Sequence, residues 1–180
     1  QAKSAQGQRR VNLLKEIFFF FLHFQVDSAQ IYLDMLENMP EVKQEPALVA
    51  LTQIARAEIQ TVAGLYADAE NALNSVDPTL ITPERQDLRL YYYRTRRTLS
   101  GWMAHYSQFE KVKRQWEQKV CRFRDSLISI DPNPITCNVV RADKANAEGK
   151  PAEALKFLLP LTKGMDSNLP DPYVCFTLAE

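Results

Sequence analysis

Proline and glycine divide this chain into segments of helix length. The breaking residues form six groups: Pro40 and Pro46, Gly64, Pro78 and Pro83, Pro132 and Pro134, Gly149 and Pro151, and Gly164, Pro170 and Pro172. The stretches between them are 12 to 48 residues long, and most lack the apolar and polar alternation that is typical of β-strands. We therefore expect an all-α chain, with helices joined by turns.

Two segments, 47–63 and 152–159, show the spacing of an amphipathic helix. Their apolar and small residues recur three and four apart: Leu48, Leu51, Ile54, Ala55, Ile59 and Val62 in the first, and Ala154, Leu155, Leu158 and Leu159 in the second. Each of these helices is expected to bury one face against a neighbour.

The longest stretch without proline runs from Arg85 to Ile130. Its weak point is Ser100-Gly101, so we expect two helices that meet there, the second running from about Trp102 to Ile130. Pro160 falls inside another helical pattern and is expected to kink that helix or end it at Leu159.

Composition places the chain among globular proteins. The 180 residues are 46% hydrophobic, and 22 Lys and Arg balance 22 Asp and Glu, which separates the chain from disordered ones. The longest apolar run, 17–24, is too short for a bilayer, which needs about 20 residues, and we expect neighbouring helices to cover its four phenylalanines, 18–21. The chain begins without Met and stops in an apolar stretch, so we expect an excerpt of a longer protein.

The three cysteines, Cys121, Cys137 and Cys175, form no CxxC pair and no cluster with histidine. This spacing offers no metal site. We expect three buried thiols in a reducing, cytoplasmic compartment.

The spacing of small residues resembles the tetratricopeptide (TPR) repeat, a helical hairpin of about 34 residues. The segment 127–132, Leu-Ile-Ser-Ile-Asp-Pro, resembles the closing A-L-x-L-D-P of such a repeat. Counting on in repeat register from Pro132 places small residues at the helix crossing and the turn: Ala142, Gly149 and Ala154. The same spacing recurs upstream at Ala57, Gly64, Tyr66, Ala69, Ala72, Leu73 and Asp77-Pro78, and more weakly at Phe24, Ala29, Leu36 and Pro40.

The resemblance implies an α-solenoid of antiparallel helical hairpins that coil into a right-handed superhelix. We expect one domain over 1–180, with hairpins at about 8–40, 46–78, 84–132 and 135–163 and another starting at 172. Two features depart from the repeat: Gln53 and Asn138 replace the usual aromatic residue of the first helix, and 84–130 is too long for one repeat. An unrelated helical bundle remains the alternative.

No pattern in the chain is typical of catalysis. The two histidines, His23 and His105, have no Cys, Ser or carboxylate placed beside them by a known motif, and phosphate loops and hydrolase motifs are missing from the sequence. We expect a protein that is not an enzyme and needs no cofactor or metal.

Charge is unevenly distributed along the chain. Nine basic residues between positions 91 and 124 face two acids, and nine acids between 27 and 77 face two bases, so these regions carry net charges of +7 and −7. The basic residues that a nucleic acid or another anion would contact are Arg94, Arg97, Lys111, Arg114 and Arg122. Arg114 and Arg122 share one helix face with Gln118, and Tyr91, Tyr92, Tyr93, Trp102 and Trp116 flank the region.

The alternative interpretation assigns the aromatic residues of this region to the core. Apolar residues recur there at helical spacing, in the order Tyr92, Leu99, Trp102, Met103, Tyr106, Phe109, Val112 and Trp116. The charges would then form a solvated face or a seam against the acidic hairpins.

The main hypothesis is a protein-protein interaction module, a scaffold or adaptor subunit of a multiprotein complex. It would bind a partner peptide or helix along the concave face formed by the first helix of each hairpin. The polar residues expected to contact the partner are Gln53, Arg56 and Gln60 in one helix and Asn138, Arg141 and Lys144 in another. Some TPR proteins bind carboxyl-terminal tails through a basic clamp, but Ile54, Glu58, Val139 and Asp143 stand at the clamp positions here.

Overall fold

The computed structural model describes the backbone of residues 2–22, 24–130 and 134–162 and the side chains of residues 7–22, 24–130 and 138–161. The helices in these ranges are α1 (Ala2–Leu22), α2 (Val26–Glu37), α3 (Pro40–Gln44), α4 (Pro46–Val62), α5 (Tyr66–Asn74), α6 (Gln86–Tyr106), α7 (Glu110–Ile130), α8 (Pro134–Ala147) and α9 (Pro151–Thr162). Two short 3₁₀ turns, Pro78–Leu80 and Pro83–Arg85, join α5 to α6. The described ranges contain no strand, which confirms the all-α expectation.

The helices pack as four hairpins: α1 with α2, α4 with α5, α6 with α7 and α8 with α9. We call the first helix of each pair an A helix and the second a B helix. Consecutive hairpins contact each other through α2 and α4, through α4 and α6, and through α7 and α8. This arrangement is the TPR-like solenoid that the residue spacing predicted.

Several helices begin with a proline, at the position where proline lowers the stability of a helix least. Pro40, Pro46 and Pro151 each occupy the first residue of their helix, where the missing N–H would have had no helical partner. The 3₁₀ turn after α5 is capped by Asp77, whose carboxylate accepts a hydrogen bond of 2.9 Å from the backbone N–H of Thr79.

The small residues identified from the repeat register lie where helices cross. Ala57 and Ala69 are fully buried in the hairpin of α4 and α5, and Ala142 and Ala154 are buried in the hairpin of α8 and α9. The turns of these two hairpins hold Gly64 (φ 78°) and Gly149 (φ 72°). This left-handed conformation favours glycine, so both the crossings and the turns are confirmed.

Three B helices share a buried Ala and Leu four residues apart. The pairs are Ala29 and Leu33 in α2, Ala69 and Leu73 in α5, and Ala154 and Leu158 in α9. The small residue lets the A helix approach, and the leucine one turn later fills the space between the two helices. In α7, Trp116, Arg124 and Leu127 are buried instead, so this B helix packs differently.

Two helix boundaries differ from the sequence-based expectation. The break expected at Ser100-Gly101 is wrong, because α6 continues to Tyr106 and the chain becomes extended at Ser107 (φ −71°, ψ 121°). A glycine inside a helix costs only about 1 kcal/mol, which packing readily offsets. Pro160 lies inside α9, which continues to Thr162 rather than ending at Leu159, because a proline this close to the end of a helix removes a single backbone hydrogen bond. The alternative expectation, a kink at Pro160, stays a prediction.

The described core falls into two parts. One cluster extends through the first three hairpins, from Val11 on α1 to Leu99 on α6. The other lies between α8 and α9 and includes Val139 and Leu158. Within the first cluster the ring of Phe19 on α1 meets the ring of Tyr91 on α6 edge to face at 5.4 Å, so α1 and α6 approach each other beside α4.

Two expectations about burial are wrong for single residues. Cys121 is exposed rather than buried, because it lies on the outer side of α7; the side chains of Cys137 and Cys175 lie outside the described residues. Phe18 is buried and Phe19 and Phe21 are half-buried, but Phe20 is 64% exposed. No described helix packs over that side of α1.

Candidate interaction surfaces

The A helices α4, α6 and α8 are joined in series by ion pairs. Glu58 on α4 lies 3.6 Å from Arg94 on α6, and Arg97, further along α6, pairs with Asp143 on α8. The side chains of Glu58, Arg97 and Asp143 are largely buried in these contacts. Two of the five predicted anion contacts, Arg94 and Arg97, therefore already have acidic partners within the domain.

The predicted partner-binding residues of α4 face the preceding B helix. The guanidinium of Arg56 donates hydrogen bonds to Glu37 at 3.0 Å and to Asp34 at 3.1 Å, both on α2. The hydrogen bond to Glu37 is the largest cause of the raised pKa of Arg56. Gln53 is half-buried, and the side-chain oxygen of Gln60 is buried without a hydrogen-bond partner.

The predicted residues of α8 occupy an equivalent position. Lys144 Nζ lies 3.1 Å from Asp125 Oδ1 on α7, the preceding B helix, while Asn138 is half-buried and Arg141 is exposed. The two predicted sets are not brought together, because α6 lies between α4 and α8. Residue spacing identified the polar side of each A helix, but it did not indicate that an acidic B helix already faces that side.

The remaining predicted anion contacts lie on the outer side of α7. Lys111, Arg114 and Arg122 are all exposed. Arg114 pairs with Glu110 one turn away at 2.9 Å, whereas Lys111 and Arg122 make no ion pair within the described part of the chain. The five predicted contacts are thus divided between two surfaces, one on α6 and one on α7.

Two of the aromatic residues expected to flank this row lie in the interior. Tyr91 and Trp116 are buried. Lys119 lies over the Trp116 ring at 3.4 Å from its centroid, and it also reaches Glu70 on α5 at 3.3 Å. The interpretation of the basic region as a seam against the acidic hairpins accounts for Arg94 and Lys119.

An uncovered apolar surface lies where α6 meets α7. We call it the hairpin-tip face, and it consists of Trp102, Tyr106, Phe109 and Val112, with exposed fractions of 42%, 59%, 74% and 38%. The ring of Tyr106 stacks on Trp102 at 5.8 Å and on Tyr66 of α5 at 5.8 Å. The sequence-based expectation that these four residues are buried is wrong. Helical spacing shows which residues share a face, but it does not show where the helix that covers this face ends.

Polar groups of the described residues do not form a catalytic cluster. His105 is exposed and meets the Tyr106 ring edge to face at 4.8 Å, and His23 lies outside the described residues. The described side chains bring no three of His, Cys, Asp and Glu together as a metal site would require. In the same residues, no helix is both long and apolar enough to cross a membrane.

Stacked antiparallel hairpins, small residues at the crossings and left-handed glycines at the turns define a helical-repeat domain of the TPR class. The chain belongs to the family of the SusR N-terminal TPR domain, which it matches over residues 1–180. TPR domains are repeat modules that generally bind other proteins and do not catalyse reactions. Comparison with curated proteins and with solved structures gives no match.

Proposed function

We propose that this domain is a non-enzymatic scaffold or adaptor that binds a protein partner within a larger complex. The observation that carries the proposal is the hairpin-tip face, a set of uncovered aromatic and apolar side chains in which Trp102 and Tyr106 stack on each other. Contiguous exposed apolar surface of this kind marks interaction sites, and Trp and Tyr are enriched among residues that dominate binding energy.

The position of the proposed surface differs from the one that the sequence suggested. Arg56 and Lys144, predicted to contact the partner, are held by acids of the neighbouring B helices. Gln53, Gln60, Asn138 and Arg141 make no contact that sets them apart as a binding row, and their role stays a prediction. The rings of the hairpin-tip face contact Tyr66 and His105, and none of its four residues pairs with an acid in the described part of the chain.

Affinity capture with the whole protein tests this function. The tagged protein is incubated with extract of its native cells, with and without nuclease and at low and high salt. We expect a few proteins in stoichiometric amounts under all conditions, and their loss when Tyr106 and Phe109 are both changed to Ser. The control variant, Leu155→Ser with Lys156→Ser on an exposed part of α9, should retain them. Absence of any stoichiometric protein would contradict the proposed function.

A second candidate function is binding of RNA or another anion by the exposed row of Lys111, Arg114 and Arg122 on α7. It is favoured by the absence of ion pairs at Lys111 and Arg122 in the described structure. Phosphate contacts weaken steeply with added salt. If this function is correct, Arg114→Glu with Arg122→Glu should abolish retention on single-stranded RNA, whereas unchanged retention would exclude it.

We also propose that the domain works in a reducing, cytoplasmic compartment. The support is the free and exposed thiol of Cys121, since exposed unpaired thiols are uncommon where disulfides form readily.

A further inference from the structure

The hairpin of α6 and α7 is longer than its neighbours. Both helices have 21 residues, against 17 in α4, 9 in α5, 14 in α8 and 12 in α9. At 1.5 Å per residue, α6 exceeds α4 by about 6 Å and α7 exceeds α5 by about 18 Å. Glu58 on α4 pairs with Arg94 on α6, and α4 ends four residues after Glu58 whereas α6 continues for twelve residues after Arg94. The tip of this hairpin therefore extends past the end of α4.

The uncovered surface continues a buried one on both helices. Along one face of α6, Leu99 is 2% exposed, Trp102 is 42% exposed and Tyr106 is 59% exposed. The matching face of α7 changes from Trp116, 9% exposed, through Val112 to Phe109, 74% exposed. At the base of α6 this face packs against the A helix α4. The same surface therefore continues beyond the end of α4, and its shape suits another helix.

Basic side chains border the hairpin-tip face. Lys111 and Lys113, in the first turn of α7, are exposed and make no ion pair within the described residues. Phe109 is three residues from Tyr106, at most about 11 Å along the chain, and Lys113 is one helical turn beyond Phe109. The acid nearest to them in sequence, Glu110, pairs with Arg114. A partner on this face thus meets apolar rings beside uncompensated positive charge.

We propose that the hairpin-tip face binds an amphipathic helix of a protein partner, with apolar residues along one side and acidic residues beside them. The inference rests on the proposed function and names the partner's chemistry. The apolar side of the partner helix covers the part of the hairpin-tip face that the shorter neighbouring hairpins leave exposed. The acids of the partner helix pair with Lys111 and Lys113. Aromatic rings fixed by stacking lose little conformational entropy on binding, which favours them as anchors.

Site-specific cross-linking in native cells identifies the occupant directly. A photo-reactive phenylalanine analogue replaces Phe109 in the whole protein, and a control protein carries it at Leu155, which is exposed on α9. We expect position 109 alone to cross-link to a protein segment with apolar residues three and four apart and flanking Asp or Glu. Cross-links to lipid, to nucleic acid, to a second copy of this chain or to a segment without that pattern would each overturn the proposal.

The charge contribution is tested with a synthetic peptide that spans the cross-linked segment. Trp116→Phe leaves Trp102 as the only tryptophan of the chain, so its fluorescence reports binding at the hairpin-tip face. Lys111→Glu with Lys113→Glu should weaken binding at least about tenfold, which corresponds to about 1.4 kcal/mol, and Lys substitution of the peptide acids should restore it. The control pair Arg9→Glu and Lys156→Glu, exposed on α1 and α9, should bind like the unaltered protein.

The two proposals fail in different ways. If affinity capture still gives stoichiometric proteins but position 109 forms no cross-link, the hairpin-tip face is not the docking site and the inference is overturned, while the scaffold function stands. Equal affinity of the Lys111 and Lys113 variant for the peptide also overturns it. Circular dichroism confirms that each variant remains helical, which is expected because the altered side chains are exposed, apart from buried Trp116, where Phe keeps an aromatic ring in the core.

Discussion

Tyr91 lies at a contact between three A helices. Its ring meets Phe19 of α1, and its buried hydroxyl is within reach of the Glu58 carboxylate of α4. Desolvation raises the pKa of Tyr91 well above its usual value, and the Glu58 carboxylate raises it further. The folded protein therefore keeps this tyrosine neutral at a pH where the unfolded chain ionises it.

The raised pKa predicts a loss of stability in alkali. Stability from the neutral hydroxyl is fully present below the unfolded pKa of about 10 and is lost as pH rises from there toward the folded value. For one proton the free energy of unfolding falls by at most about 1.4 kcal/mol per pH unit. Tyr91→Phe should flatten this decline, since the variant has no group to ionise at this position. Urea unfolding across pH measures both effects, and parallel curves for the two proteins would contradict the prediction.

The alanines at the helix crossings predict a matched pair of variants on α5. Ala69 is fully buried against α4, whereas Ala67, two residues away, is exposed. Ala69→Leu should lower the free energy of unfolding by about 1–3 kcal/mol because the added atoms separate the helices. Ala67→Leu should change it by less than about 0.5 kcal/mol. Similar stability of the two variants would mean that the crossing is not closely packed.

Sequence spacing was sufficient to predict the place of residues whose role follows from the repeat register. Ala57, Gly64 and Ala69 were found because a hairpin requires small residues at the crossing and a left-handed turn. It was insufficient for Cys121, which lies on the outer side of α7, and for Phe109, whose exposure depends on how far a neighbouring helix extends. That length is a property of another segment, so no local pattern contains it.

At the scale of helices, α6 shows that a glycine does not by itself indicate where a helix ends. Gly101 lies inside a continuous helix and a methyl group added there would meet no atom within 4 Å. The chain turns instead at Ser107, where no proline or glycine indicates it. The turn lies there because the two helices of the hairpin, each of 21 residues, pair along their length.

Two glycine variants are expected to have opposite effects. Gly101→Ala should raise the free energy of unfolding by about 0.5–1 kcal/mol, since alanine favours a helix interior. Gly64→Ala should lower it by about 1–2 kcal/mol because φ is 78° there, a conformation that costs other residues about that much. Thermal unfolding of both variants is the measurement. Destabilisation by Gly101→Ala would indicate that α6 is interrupted at that point.

At the scale of the whole molecule, opposite charges connect successive hairpins. Pairs join α2 to α4, α4 to α6, α5 to α7 and α6 to α8. The acidic first half and the basic middle of the chain are thus partly neutralised by each other inside the solenoid. The net charges of the two regions were visible in the sequence, but the pairing required the order of the helices in space.

A double-mutant cycle on Arg97 and Asp143 measures this coupling. The pair is largely buried between α6 and α8, so Arg97→Gln and Asp143→Asn should show a coupling of about 1–2 kcal/mol that added salt reduces only partly. The control is Arg114 with Glu110, a pair within α7 whose side chains are 71% and 65% exposed. Its coupling should be about 0.5 kcal/mol or less and should vanish in high salt. Equal coupling for the two pairs would contradict a structural role for the inter-hairpin bridge.

The contact between Phe19 and Tyr91 changes how the array should respond to mechanical force. In an ideal repeat array each unit holds only its immediate neighbours, and units detach one at a time. Here the first hairpin also contacts the third through the rings of Phe19 and Tyr91. One hydrophobic cluster extends from α1 to α6, whereas α8 and α9 have a small core of their own. In an optical trap the protein is expected to unfold in two steps. The hairpin of α8 and α9 should unfold at low force, and the first three hairpins should unfold together at a higher force.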